Sequence, residues 1–162
     1  MVKLHLGCGK RDFGEDWFNV DIAAYPHIQW QDVTRLPFED KCVDIIYSSH
    51  LIAYFDREEI LPIFKEWKRV LKHGGILRLA TPDWEALRKL SNPLLGPMYG
   101  KMGLIYHKTV YDFIGLAKIL YESGFTNVYR YNHLKTDHAQ FDDHSAAYYE
   151  GVLISLNIEC HA

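Results

Sequence analysis

Residues 2–22, VKLHLGCGKRDFGEDWFNVDI, constrain the fold of this chain more than any other stretch. The run Val2-Lys3-Leu4-His5-Leu6 has the length and the β-branched and aliphatic content of a buried strand. It stops at Gly7-Cys8-Gly9, where two glycines one residue apart let the backbone turn sharply and approach a ligand closely. A second strand, 17–22, follows and brings Asp21 to its end. A glycine turn after one strand and a carboxylate after the next is how an open α/β sheet holds a nucleoside. Backbone N–H groups face the polar tail, and the acid accepts hydrogen bonds from a ribose diol. Taken alone, Gly-Cys-Gly fits an ordinary tight turn equally well.

The 162 residues suit one domain, 1–162, with a single sizeable core. A hydrophobic fraction of 48% and a charged fraction of 24% are those of a globular protein in water. A net charge of −3 gives no general reason to expect nucleic acid as partner. The three cysteines, Cys8, Cys42 and Cys160, are odd in number and widely spaced. They suggest neither a disulfide frame nor a zinc site, and as reduced thiols they point to the cytoplasm. Met1 leads straight into a strand, so no signal peptide is expected. No apolar run approaches the ~20 residues that a membrane span needs.

Only seven residues, KRDFGED, separate Gly9 from Trp17, too few for the dozen or more of a standard parallel crossover. After Asp21, Pro26 interrupts AAYPHIQWQD, which leads into a third short strand over 27–31. Covering helices are therefore expected to be trimmed here, leaving one sheet face open or covered by a partner subunit. VDIIYS at 43–48 reads as the central strand. Asp56 is a good N-cap for a helix over 57–72, whose stripe is Ile60, Leu61, Phe64, Trp67 and Leu71, ended by Lys72-His73-Gly74-Gly75. Residues 75–83 form a strand and 83–90 a short helix. The Gly-, Pro-, Met- and Tyr-rich stretch 94–106 suits either a pocket wall or lid, or a packed surface loop. A helix to about Gly124 follows, with Phe113, Leu116, Ala117, Leu120 and Tyr121 on one face. Strands at 127–131 and 151–160 complete the sheet, the last antiparallel.

LHLGCG with the downstream VDI resembles motif I and the acidic loop of class I, Rossmann-like methyltransferases that use S-adenosylmethionine. DVTRLPF, VDIIYSSH and RVLKHGGILRL follow in that family's order, and the late H-K-x-x-Y…G-F pattern is similar to its small type-11-like members. The resemblance covers nearly the whole chain. It implies an α/β, three-layer sandwich around a mostly parallel seven-stranded sheet with an antiparallel last strand and helices trimmed near the N-terminus. It implies a cofactor site at Gly7, Cys8, Gly9, Asp21, Ile22, Asp32, Val33, Ser48 and Ser49. Asp32 would meet the adenine amino group, although an Asp there equally suits a loop turn.

By the same resemblance His50 faces the transferred methyl group as a candidate general base, or else it shapes the pocket. Asp83, Tyr106 and His107 are candidates for acceptor contact, and Lys10 and Arg11 for the cofactor carboxylate. Three departures stand out. Ala53-Tyr54 replaces a Glu-His pair, His5 stands where an acidic or small residue is usual, and His73 replaces a proline. Cys8 has no histidine partner evident in the sequence and is expected to pack rather than react.

The segment 133–144 holds three histidines and three aspartates but matches no metal-ligand spacing. It is expected to be a solvated connection, with no metal. The expected function is methyl transfer from S-adenosylmethionine to a small molecule, by family analogy a sugar or glycolipid precursor, with a homodimer through the trimmed face. Two alternatives stay open. One is a non-catalytic domain that binds S-adenosylmethionine or a protein partner. The other, a nicotinamide-dependent oxidoreductase, is disfavoured because G-C-G-K-R-D lacks the third small residue of the dinucleotide fingerprint.

Overall fold

A computed structural model describes residues 1–90, 106–139, 141 and 143–162. Strands β1 (Lys3–Leu6), β2 (Trp17–Val20), β3 (Val43–Ser49), β4 (Leu71–Pro82), β5 (Thr126–Arg130) and β8 (Ser155–His161) form a six-stranded sheet in the order β2-β1-β3-β4-β8-β5. β1 pairs in parallel with both β2 and β3, setting Leu4 beside Phe18 and Ile46. β3 and β4 are also parallel, whereas β8 runs antiparallel between β4 and β5. β6 (Tyr148–Tyr149) and β7 (Val152–Leu153) make a separate small hairpin, so the expected last strand is split in two.

Among the described residues the sheet has six strands and not seven. Residues 27–31 stay at β2's edge through Gln29 N–H to Asn19 C=O (3.0 Å) and Asp21 N–H to Trp30 C=O (3.1 Å). Only the Val20–Trp30 pair forms a bridge. Pro26 and the short run leave no length for a further ladder.

Alternation along the strands divides the core in two. Leu4, Leu6, Val20, Val43 and Ile46 face helix α1 (Ile60–Val70) and helix α3 (Phe113–Glu122). On α1 the buried stripe is Ile60, Ile63, Phe64, Trp67 and Val70, close to the expected one. The helix passes directly into β4 at Leu71, so Gly74 and Gly75 lie within a strand and do not cap the helix. Asp112 caps α3 by accepting from Gly115 N–H at 2.7 Å, and Leu116, Ala117 and Leu120 are buried while Tyr121 is exposed. The short α2 (Trp84–Leu87) follows β4.

On the other face, where helices after β1 and β2 would lie, no helix forms between residues 7 and 42. An aromatic cluster replaces them. Phe13 stacks on His5 (4.0 Å) and on Phe141 (4.2 Å), and His138 sits 3.9 Å from the Tyr47 ring. Trp17 meets Phe13 edge-on. The face is thus covered by its own chain, which removes the reason to place a partner subunit there. The segment 133–144 is a solvated connection only in part: His133, His138 and Asp143 are buried, whereas Leu134, Lys135, Asp137 and His144 are exposed. Of its residues Gln140 and Asp142 lie outside the described ones, as does most of the expected lid, 94–105.

Candidate functional site

The chain leaves β1 for β2 on one side and returns to β3 on the other. The strand order therefore reverses at the carboxyl ends of β1 and β3, the place where open α/β sheets bind ligands. A cleft of about 950 Å³ opens there.

Its floor is the turn after β1. Gly7 N–H donates to Val20 C=O at 2.8 Å. Gly7 and Gly9 adopt φ of +69° and +56°, and a Cβ on Gly7 would lie 2.8 Å from the Leu51 Cβ. A side chain is thus excluded at Gly7 by space as well as by conformation. Asp21, just after β2, accepts from Gly9 N–H at 2.8 Å and from Ala23 N–H at 2.9 Å. Each of its oxygens uses one lone pair in this way and keeps another for a ligand.

Asp32 closes the same end. One of its oxygens takes the Thr34 N–H (2.8 Å) and hydroxyl (2.6 Å), which hold its carboxyl below the usual range, the hydroxyl contributing most. The Asx turn and the place in the cleft wall are both present. The next residue, Val33, is anchored through its carbonyl by Trp67 Nε1–H at 2.8 Å. Ile22 and Val33 give this end apolar walls.

The opposite end is lined by histidines. His50 follows β3 in the left-handed region (φ +54°), uncommon for a residue with a side chain, and its N–H donates to Ala80 C=O at 2.7 Å. Its Nε2 lies 3.1 Å from Ser155 Oγ. Burial, then the neighbouring His144 and His107, push the imidazole down to about 3, so it is neutral near pH 7. His107 is lowered too, by burial and His144. Tyr54 packs edge-on against His107 at 4.6 Å, and Tyr106 and Lys108 line the same wall.

Of the residues singled out in the sequence, Gly7, Cys8, Gly9, Asp21, Ile22, Asp32, Val33, Ser49, His50, Tyr106 and His107 line this one cleft. Ser48 and Asp83 are not in its wall. Ser48 is buried within β3, pairing with Leu6 and Leu79. Asp83 caps α2 by accepting from Glu85 N–H at 3.0 Å and pairs with Arg130 at 3.0 Å, so its carboxylate is committed to the fold.

His5 also lies away from the cleft, in the aromatic cluster, where burial pushes it down to about 3 and its Nδ1 has no partner among the described residues. Cys8 does have a histidine nearby, His27, with Nε2 3.9 Å from its sulfur. Burial and then Asp21 push the thiol up to about 12, so it is no nucleophile. Among the described residues, no group of three or more His, Cys, Asp or Glu could hold a metal ion. Wall residues that the sequence did not assign to the site include Tyr25 and Ile154, which lie in no recognisable motif, Leu51 and Tyr54, beside His50 in its motif, and His144, which stood in the histidine-rich segment.

The donor set fits a nucleoside: a carboxylate with spare lone pairs, apolar walls, and a close-approach turn. Residues 4–79 match the family model described as a methyltransferase domain. A curated relative, malonyl-[acyl-carrier protein] O-methyltransferase of Herminiimonas arsenicoxydans, is 30% identical over 100 residues, 60% of this chain and 35% of that protein. The chain thus spans about a third of the length of that relative. Among solved structures, an S-adenosylmethionine-dependent methyltransferase from Archaeoglobus fulgidus is 17% identical and superposes with a TM-score of 0.66 over 99% of this chain and 86% of its own. One from Mesorhizobium loti, also 17% identical, superposes with a TM-score of 0.64 over 99% and 90%. Residues 4–79, through the first four strands, thus match a methyltransferase domain, and the whole described fold is that of class I, Rossmann-like methyltransferases that use S-adenosylmethionine.

Proposed function

We propose that this protein transfers a methyl group from S-adenosylmethionine to a small-molecule acceptor. The observation that carries this is the convergence of the Gly7–Gly9 turn, Asp21 and Asp32 on one cleft whose other end is walled by His50 and His107. In this reading Asp21 accepts hydrogen bonds from the ribose diol. Asp32 and Val33 meet the adenine, whose amino group needs an acceptor, and the glycine turn lets the main chain approach the methionine part. The cofactor supplies a methyl group made electrophilic by its sulfonium. The chain's task is then to exclude water and align the acceptor for in-line displacement. A neutral His50 can accept a hydrogen bond from an acceptor O–H or N–H and so orient its lone pair.

The curated relative's name puts the methyl group on oxygen, which favours an oxygen acceptor here. A sugar or glycolipid precursor stays the acceptor expected from the sequence resemblance. A homodimer, on this reading, would form at the exposed edge beside β2, where Trp30 lies, and not over the covered face. No described helix is long and apolar enough to cross a membrane. The three unpaired thiols suit a reducing compartment such as the cytoplasm.

Calorimetry with S-adenosylmethionine and S-adenosylhomocysteine, followed by transfer of labelled methyl to a panel of alcohols, carboxylates, phenols and amines, tests the proposal. Saturable binding and a labelled product are expected. Tight binding with no product on any acceptor would instead favour a non-catalytic binding domain, and no binding would remove the proposal altogether.

A further inference from the structure

Tyr47 and His50 stand three residues apart at the end of β3, and each is tied to a segment nearly a hundred residues away. The Tyr47 hydroxyl donates to one oxygen of Asp143. The other Asp143 oxygen accepts from Ser145 N–H at 2.8 Å and opens the single 3₁₀ turn His144–Ala146. From β8, Asn157 Nδ2 donates to Ser145 C=O at 2.9 Å. The turn is therefore fastened to two strands of the sheet, β3 and β8, at once.

Its first residue, His144, lines the cleft. The ring centroid lies 5.2 Å from that of His50, with the planes inclined by 49°. His50 is itself fixed from β8 through Ser155 Oγ. Two imidazoles from distant parts of the chain are thus held side by side at the end of the cleft away from Asp21 and Asp32. Two rings this close repel when both are charged, so the arrangement disfavours a doubly protonated pair.

We propose that His144 acts with His50 as the acceptor-side pair of the cleft, hydrogen-bonding the atom that receives the methyl group. This rests on the methyl-transfer reading above. The acceptor's lone pair bonds to the methyl carbon as the carbon–sulfur bond breaks toward sulfur. The proton of an O–H or N–H acceptor passes to one imidazole nitrogen. Tyr47 is then a positioning residue, since it acts on the pair only through Asp143.

Two cofactor analogues test the pair without knowledge of the acceptor. S-adenosylhomocysteine has nothing at the methyl position, whereas sinefungin carries a primary amine there, able to donate to a neutral imidazole. Calorimetry on the full chain should show His144→Ala losing about three- to tenfold in sinefungin affinity, the size of one lost hydrogen bond. S-adenosylhomocysteine affinity should stay within about twofold. His144→Gln should retain part of the sinefungin preference, and Tyr47→Phe should lose it in the same direction. Equal losses for both ligands, the mark of a merely structural role, would overturn the proposal, as would no change for either. If the wild-type chain binds neither analogue, the methyl-transfer reading itself fails and the pair falls with it.

Discussion

The Asp21 carboxylate accepts a hydrogen bond from the Gly9 N–H at 2.8 Å, joining the end of β2 to the turn that leaves β1. One acid therefore does two things: it fixes the shape of the glycine turn and presents its remaining lone pairs to the cleft. The second of these depends on its charge more than the first does.

Asp21→Asn is accordingly expected to fold yet to bind S-adenosylhomocysteine about 10–100-fold more weakly, the range for hydrogen bonds to a charged group. Titration calorimetry beside a melting curve checks this. Unchanged affinity would detach Asp21 from the ribose.

Gly7→Ala and Gly9→Ala should differ in stability. Both force alanine into the left-handed region, which costs about 1–2 kcal/mol. Only at Gly7 does the new Cβ also meet Leu51, at 2.8 Å, while nothing lies within 4 Å of it at Gly9. Urea denaturation should therefore show Gly7→Ala as clearly the less stable, with its midpoint below that of Gly9→Ala.

The aromatic cluster makes stability depend on pH. Burial leads the causes that push His5 down to about 3 and His138 down to about 4, from an ordinary value of 6.5. The unfolded chain therefore binds protons that the folded chain refuses, and stability falls as pH drops. Their contribution is complete above about pH 6.5 and is lost progressively down to about pH 3–4, where the folded histidines titrate. Denaturation midpoints at pH 7.5 and 5 should differ for the wild type. The difference should shrink in His138→Phe, which keeps a ring against Tyr47 and removes the titrating group.

Asp83 gives the contrasting case. Asp83→Ala removes the α2 cap and the partner of Arg130, and should cost about 1–2 kcal/mol of stability. Because the side chain lies outside the cleft wall, S-adenosylhomocysteine affinity should not change. A selective loss of affinity at full stability would return Asp83 to the site.

Much of the fold was legible because it is written in local patterns. The alternation of Leu4 and Leu6, the stripe of Ile60, Phe64 and Trp67, and the buried face of Leu116, Ala117 and Leu120 each follow from a few adjacent residues. Several cleft residues were legible for the same reason: Gly7, Asp21 and His50 stand just past the ends of strands, and strand ends can be read. The failures have physical causes too. Residues 27–31 look like a strand but find room for one bridge only. Gly74-Gly75 looks like a helix stop, yet β3 recruits the backbone at Leu71 into pairing.

The histidine-rich segment marks the boundary most plainly. Its composition is polar, so read alone it belongs in water. What decides otherwise is that β1 and β2 have no helices to cover one face of the sheet. Phe13, Trp17 and His5 are left needing cover, and His138 and Phe141 supply it. The sequence by itself determined the end of the cleft formed by Gly7, Asp21 and Asp32, because its turn and acids are set by neighbours along the chain. Only the tertiary structure decided the other end, because bringing His144 beside His50 takes a hydrogen bond between residues 96 apart, and local propensity carries no trace of such a pairing.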